Sequence, residues 1–493
     1  MAAHTSTDVL IAGLGPVGAM LSLLLAKQGL SVTVVERDAA VYPLPRAAHI
    51  DHEVMRLLNL VGAADPVLKA STPLSAYEFR NGEGALLMAF TPGLEDAPTG
   101  FPPSSMFHQP SLEHGLRDAI SREPLISAHL ETVLSTFIAD DNGVTATVTD
   151  AKGQRSISAK FLIGCDGGAS VVRKLSGIGL EDLGFDEPWL VIDTVLKNNV
   201  KALSDKGLQH CDPRRPVTSM PMGPSRHRWE FMLLAGETAD DVTSDDALNR
   251  LVAPYADPDV LTIERRAVYR FHAVCAKEWR KGRVLLCGDA AHQMPPFMGQ
   301  GLCSGIRDAA NLAWKIAAVH KGEAAPSLLD TYQSEREPHV RAITELAVFL
   351  GRIVCVQNVC EAKARDEQMT TPSEEARISA LPPLPGLATG IVAGHASAGQ
   401  VAPAPRLSDG ARLDDVYGYV PFIITREKTV SAFAGNGRVI ALDEIDDTAG
   451  HWNKLLGEAS AIFVRPDRFI YGFGSAQALI AHWTDYLKAS VPA

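Results

Sequence analysis

The sequence predicts an α/β (α+β) protein with a Rossmann-like dinucleotide-binding domain, an inserted β-rich domain and a small C-terminal α/β unit. Three observations carry this prediction. Apolar, strand-like runs lead into glycine-bearing turns at three separate places, Val9 to Gly18, Phe161 to Gly168 and Val284 to Asp289. Residues 185–275 read as a succession of strands. A stretch rich in Pro, Ala, Gly and Ser, 366–406, sets off the last part of the chain.

The first run is the most informative. Val9-Leu10-Ile11-Ala12 suits a strand buried on both faces. Gly13-Leu14-Gly15-Pro16-Val17-Gly18 follows, then an apolar helical stretch from Ala19 to Gln28, closed by Gly29. Ser31 to Val35 is a β-branched strand that ends at Glu36. This is strand, glycine turn, helix, strand, acid. Gly13 allows the tight turn, Gly15 lets a pyrophosphate approach the backbone, and Gly18 lets helix and strand pack closely. The helix N terminus offers free amides to phosphates, and Glu36 stands where a carboxylate accepts ribose hydroxyls. Leu10 to Ala26 is apolar almost throughout, but its glycines and proline and the lack of a preceding basic segment argue against a membrane span or a signal peptide.

Composition narrows the class. The chain has 493 residues, 46% hydrophobic and 21% charged, as expected for a globular protein of two or three domains. Its net charge of −12 argues against nucleic acid as a partner. Seven dispersed cysteines without a CxxC pair or zinc spacing read as reduced thiols of a cytoplasmic protein, with no metal site.

Beyond Glu36-Arg37 lies a loop with Pro43 and Pro45, then Arg46 to Asp51. Arg46 can reach a pyrophosphate or remain at the surface, and His49 can face a site or be structural. Asp51 caps a helix from His52 to about Leu60. Residues 74–107 suggest a small sheet outside the nucleotide core, and Gln109-Pro110-Ser111 leads into a helix from Leu112 to Ser121 with Ser111 as N-cap. Ile126 to Val148 reads as two or three strands with an Asn142-Gly143 hairpin turn, and includes Val133. At the second glycine turn, Asp166 can bind a sugar hydroxyl or hold the turn, and a helix starts near Ser170. In 185–275, Met220, Met222, Trp229 and Phe231 either line an apolar pocket or fill a core. The third turn, Gly288-Asp289, leads through His292, Pro295, Pro296, Gly299, Gln300 and Gly301 into a long helix near Leu302 that holds Asp308, Asn311 and Trp314. Glycine before a helix N terminus exposes amides that stabilise negative charge. In the last unit Val420 to Ile424, Arg438 to Leu442 and Ala461 to Val464 are strands, with Pro421 pushing the first to a sheet edge, and Ser475 to Ala489 is a closing helix.

The combination of Gly13/Gly15/Gly18 with Glu36, Asp166-Gly167 with Arg173, and Gly288-Asp289 with His292 resembles the single-component FAD-dependent aromatic hydroxylases of para-hydroxybenzoate hydroxylase type. Cys165 to Ser170, Cys211-Asp212-Pro213, Arg228 to Met232 and Arg465 to Phe469 resemble the branch of 3-(3-hydroxyphenyl)propionate and phenol hydroxylases. The resemblance implies a discontinuous FAD-binding domain (1–73, 108–184, 276–365), a substrate domain (74–107, 185–275), a linker (366–406) and a thioredoxin-like domain (407–493). It implies that NADH or NADPH reduces FAD, and that O2 and the reduced flavin form a C4a-hydroperoxide that hydroxylates a phenol. A same-fold oxygenase or epoxidase acting on a polycyclic polyketide is the alternative. The implied cofactor residues are Gly13, Gly15, Pro16, Val17, Gly18, Glu36, Arg37, Arg46, Gln109, Val133, Asp166, Asp289, Pro296, Gly299, Gln300, Gly301, Leu302 and Asn311. Met220, Met222, Arg228, Phe231 and Pro295 are the implied substrate pocket; Pro296 borders the substrate side of the flavin, and His49 is the candidate general base. Where the para-hydroxybenzoate enzyme grips a carboxylate with polar residues, this chain offers Met220 and Met222, which favours a less polar phenol. The resemblance is compatible with a homodimer.

Overall fold

The computed structural model describes residues 5–197, 202–390, 395–405, 407, 410–430, 433, 436–445, 447 and 450–489. Four sheets organise these residues. The largest buried cluster surrounds a sheet whose central strands are Val284–Leu286, Gly153–Gly164, Thr5–Ala12 and Val32–Val35, side by side and parallel. Ile126–His129 adds a further parallel strand at one edge. Strands with both faces covered must be apolar throughout, and Val9 to Ala12 and Val32 to Val35 are all buried. Helix Pro16–Lys27 covers one face together with Gly301–His320, whose residues Cys303 to Ala318 are all buried. Val133–Ala139 and Val144–Asp150 form the expected hairpin, with the Asp140 carboxylate accepting from the amides of Asn142 and Gly143.

A second sheet of nine strands forms the wall facing this domain. Its long strands Leu180–Leu196 and Leu261–Ala276 pair over most of their lengths, and Arg226–Met232, Val217–Pro221 and Lys206–Cys211 follow. Ala76–Asn81 and Leu86–Thr91 join this same sheet rather than forming one of their own, whereas Ser104–Phe107 pairs with His49–Asp51 and Ser71–Pro73 in a separate three-stranded sheet.

The stretch 366–406 is not a free linker. Helix Val359–Thr370 runs into it, and Ile378–Ala380 pairs in parallel with Leu86–Thr91 as the last strand of the nine. Proline and glycine richness marks irregular backbone; whether that backbone packs against something is decided elsewhere in the chain. The helix expected to begin at Leu112 begins instead at Gln109, since Pro110 fits a first turn where no amide is needed. The C-terminal unit holds a four-stranded sheet ordered Arg438–Ala441, Phe422–Thr425, Ala461–Val464 and Ile470–Gly474 under helix Ala476–Lys488. Phe422–Thr425 is an inner strand: Pro421 lies just before it, so its missing amide disturbs no ladder bond.

This unit is held to the first domain by buried ions. Glu335 accepts from Arg465, Lys315 and Asn311, and Arg465 also pairs with Asp467 at 2.7 Å. Burial would raise the Glu335 carboxyl, but the Arg465 and Lys315 cations outweigh it and hold the group at about 2. Arg56 pairs with Asp414 at the same boundary. No single helix among the described residues is long and apolar enough to cross a membrane.

Candidate active site

The parallel register fixes where the three glycine turns emerge. Ala12 pairs with Val35 and with Gly164, and Gly164 pairs with Leu286. Glu36, Gly13, Asp166 and Asp289 therefore all follow the C-terminal ends of neighbouring strands, where ligands bind in open α/β sheets. The turns are stitched together: the amide of Gly13 donates to Val35, that of Cys165 to Ala12 and that of Cys287 to Gly164, at 2.8–3.0 Å.

Gly13 has a φ of +100°, and a Cβ there would lie 2.4 Å from the Cys165 carbonyl oxygen. Gly15 is different. Its φ is −69° and a Cβ would meet nothing within 4 Å, so the backbone there is open to close approach. The first helical bond runs from the Ala19 amide to the Gly15 carbonyl, which leaves the Val17 and Gly18 amides without an intrahelical partner, and no side chain caps this helix. Val17 packs into the third turn, 3.1 Å from the Cβ position of Gly288 and 2.6 Å from that of Gly305.

The second uncapped N terminus is Gly301–His320, whose first bond joins the Ser304 amide to Gln300. The loop before it is held firmly. Arg307 donates to Asp51, Glu53 and Gln300, and Gln300 donates to Asp51 at 3.1 Å. Burial disfavours the Asp51 anion, but Arg307 holds its carboxyl far below the usual carboxylate range. The same carboxylate caps helix His52–Leu60. Behind the Asp289 turn, buried Asp308 accepts from His292 at 2.6 Å and Arg336 at 2.8 Å.

A cavity of about 1030 Å³ opens from the Pro296–Leu302 loop and Asp289 to the nine-stranded sheet. This is at the upper end of the roughly 300–1,000 Å³ usual for ligand sites. Arg46, His49, Pro296, Gly299, Gln300, Gly301, Leu302 and Asp289 line it on one side, and Met220, Arg228, Glu230, Val191 and Phe271 on the other. Residues 380–384 and 400–403, in and beside the supposed linker, close it. Met220 forms an apolar patch with Leu74 and Met106.

Several residues named from the sequence lie near this edge without opening onto the cavity. Glu36 accepts from the Leu14 amide at 2.7 Å and the Asp38 amide at 3.0 Å, and its backbone pairs with His129 and Thr132, which brings Val133 alongside. Arg37 is exposed beside Asp38. The Gln109 side-chain oxygen accepts from the amides of Arg46 and Ala47, so Gln109 shapes the Arg46 loop. Pro295 immediately precedes the cavity-lining Pro296.

Others have their polar groups engaged within the protein or point away from the cavity, although Arg228 does line it. The Asp166 carboxylate is taken by the Ser170 hydroxyl and the amides of Val171 and Val172, so it caps the helix Val171–Leu175. Arg173 from that helix donates to the carbonyls of Ala290 and Gly168 and ties the second turn to the third. Asn311 sits in the Glu335–Asp467 ion network, away from the cavity. Phe231 is next to Glu230 on one strand, and alternate side chains face opposite sides, so Phe231 packs with Leu190, Ile192 and Val217 behind the sheet. Met222 is buried beyond the end of its strand and does not line the cavity. Arg228 donates to Asp193 and to the carbonyls of Pro45 and Arg46, so it holds the Arg46 loop.

Sequence reasoning missed Arg307, Ser104 and Glu230. Glu230 is a cavity-wall carboxyl 3% exposed, with no hydrogen bond among the described residues and Arg228 3.7 Å away. Burial outweighs Arg228 and raises it to about 7. Ser104 carried no local signal, because its partner His49 is distant in sequence.

The residues present fit FAD. Open space at Gly15, two uncapped helix N termini and a cavity joining Asp289 to an apolar wall match a pyrophosphate, a flavin edge that gathers negative charge and an aromatic neighbour. Comparison with known proteins agrees. A family model described as FAD binding domain matches residues 6–347. A probable NADH-specific resorcinol 4-hydroxylase of Rhodococcus jostii (strain RHA1) is 36% identical, over 99% of this chain and 96% of the relative. A 3-(3-hydroxy-phenyl)propionate/3-hydroxycinnamic acid hydroxylase of Mycolicibacterium smegmatis is 36% identical over 73% of this chain, and the match spans 64% of that relative. The anhydrotetracycline hydroxylase OxyS of Streptomyces rimosus shares the fold, with a TM-score of 0.79 at 23% identity, covering 99% of this chain and 100% of that one. The chain belongs to the FAD binding domain family, among the flavin-dependent aromatic hydroxylases.

Proposed function

We propose that this protein hydroxylates a small, uncharged phenol, using NADH, O2 and FAD. The observation that carries this is the cavity lined by the Gly299–Leu302 loop on one side and by Met220, Met106 and Leu74 on the other. Kinship with the resorcinol hydroxylase over nearly the whole of both chains supports a simple phenol and NADH as donor. FAD, when bound, takes reducing equivalents from NADH and activates O2. The protein's residues do the rest. The Val17 and Gly18 amides receive the pyrophosphate, and Glu36 stands at the ribose end. Asp289 meets the ribityl hydroxyls, while the Gly301 and Leu302 amides stabilise charge at the flavin edge. The apolar patch orients the ring, and the 380–384 and 400–403 segments exclude water.

The wall also argues against an anionic substrate. Arg228 has its Nε and both Nη groups committed to Asp193 and backbone carbonyls, and Arg265 likewise donates to Asp193 and Pro45. The carboxyl group on that face is Glu230, an acid that would repel an anion. The seven cysteines are all free thiols, which fits a reducing compartment, and we place the protein in the cytoplasm.

The test is anaerobic flavin reduction. FAD-loaded protein is mixed with NADH or NADPH, with and without members of a panel of phenols and benzoates. Reduction by NADH, accelerated by neutral phenols more than by benzoates, is expected. A protein that binds no FAD, or whose flavin neither nucleotide reduces, contradicts the proposal.

A further inference from the structure

His49 and Ser104 face each other across the three-stranded sheet that borders the cavity. His49 Nε2 lies 2.8 Å from the Ser104 hydroxyl, and His49 Nδ1 lies 3.2 Å from the Gly299 carbonyl oxygen. A carbonyl only accepts, so in the neutral ring the proton sits on Nδ1 and donates to Gly299. Nε2 is then the acceptor, and the Ser104 hydroxyl donates to it. The serine proton is thereby directed away from the cavity, and the lone pairs of its oxygen face inward. Ser104 Oγ has no other hydrogen bond among the described residues, and both residues line the cavity.

The pair is built rather than incidental. Gly299 adopts a φ of +62°, and a Cβ there would lie 2.6 Å from His49 Cβ, so the loop and the imidazole require each other. The charged groups near His49 are Asp51, two residues on, and Arg307 from the long helix. They are paired with one another at 2.6 Å, so their effects on the ring oppose. Burial lowers the basicity of His49, which keeps it neutral and able to accept a proton. Ser104 and Met106 are two apart on one strand and so share a face, which sets the hydroxyl beside the Leu74–Met106–Met220 patch where a ring would rest.

We propose that Ser104 and His49 form a proton relay that ionises the phenol. The proposal rests on the phenol hydroxylase reading above. The ring O–H donates to Ser104 Oγ. Its bond breaks as a new Oγ–H forms, and the serine's original proton passes to Nε2, giving a phenolate and an imidazolium with no net change of charge. The electron pair left on the phenolate oxygen raises the nucleophilicity of the ring carbons. The Gly299 carbonyl stabilises the imidazolium through Nδ1–H, so the loop before the Gly301 helix also positions the base. Reversal of both transfers restores the pair after the ring has been hydroxylated.

The test uses FAD-loaded protein with a bound phenol, its ionisation read from the ultraviolet phenolate absorbance as pH is varied. Wild-type protein should bind the phenol with its pKa lowered. S104A should move the ionisation midpoint upward by about one unit or more and slow ring hydroxylation about 10²-fold. S104T, which keeps the hydroxyl, should restore most of both. A methoxybenzene, which has no proton to give, should bind S104A and wild type alike. Flavin content and melting temperature establish that the variants are folded. A wild-type ionisation curve in S104A, or failure of S104T to rescue, overturns the relay while leaving the function standing. Absence of any phenol-stimulated flavin reduction by wild type overturns the function and the relay with it.

Discussion

The two sides of the cavity are made differently. The cofactor edge is built from backbone: strand ends in register, glycine turns and two uncapped helix N termini. The facing wall is built from side chains contributed by distant parts of the chain, among them Tyr77, Met106, Met220, Glu230 and the 380–384 segment. Where the turns are stitched together, as at Gly13, they tolerate almost no added atoms, because they cannot yield. Side-chain walls tolerate exchange, since neighbours can repack. A protein arranged this way can keep one cofactor while its substrate changes.

The sharpest contrast comes from glycines. Gly13→Ala places a Cβ 2.4 Å from a backbone oxygen at a left-handed φ. It should cost more than about 4 kcal/mol, the range reserved for severe backbone conflict, and yield insoluble or flavin-free protein. A variant that purifies yellow with an unchanged melting temperature would break the comparison.

The next effect concerns what keeps the wall in place. Gln400 to Pro403 line the cavity, and the Arg465–Glu335 pair docks the unit that follows them. Arg465→Ala leaves Glu335 short of its strongest partner and should destabilise by about 3–5 kcal/mol in chemical denaturation. Because Glu335 is held at about 2 against an ordinary 4.5, its stabilisation is complete above pH 4.5 and is lost as pH falls toward 2. Arg465→Ala should shrink that acid dependence, leaving the part that Lys315 supports.

Glu230 behaves in the opposite sense. Its carboxyl is raised to about 7 from 4.5, so between those values the folded protein holds a proton that the unfolded chain has released. Stability therefore falls as pH rises through that window and stays lower above it. Glu230→Gln should be more stable than wild type at pH 8, by up to about 3 kcal/mol, and no different below pH 4.5. Equal pH profiles for the two would show that Glu230 is not the buried acid described here.

The smallest effect sharpens the first. Gly15→Ala has room for its methyl group, so it should fold and melt like wild type without cofactor. The methyl occupies the space assigned to the pyrophosphate, and flavin affinity should fall at least tenfold, about 1.4 kcal/mol, in a fluorescence titration.

The division between backbone and side chain also explains what the sequence disclosed. The Gly13–Gly18 turn, the Asp51 cap, the helix start near Ser170 and the Asn142-Gly143 hairpin are local: each is specified within a few residues, and each is found where the sequence puts it. Phe231 and Asn311, which the resemblance implies at the site, do not line the cavity. The first faces the wrong side of a pleated strand, and the second is claimed by an ion network that includes Asp467. The 366–406 stretch read as a linker because its composition discourages regular structure, yet it lines the cavity by packing on Leu86–Thr91. Ser104 and Glu230 were invisible for a related reason, since a hydroxyl or carboxyl becomes functional only through the partner that folding brings to it, or fails to bring.

Flavin and phenol are proposed to share one cavity, and the coupling of their reactions measures that directly. FAD-loaded protein, supplied with O2 and a saturating neutral phenol, should consume NADH faster than without the phenol and form hydroxylated product in equal amount, with little hydrogen peroxide. NADH oxidation indifferent to every phenol tried, or converted wholly to peroxide, would contradict it.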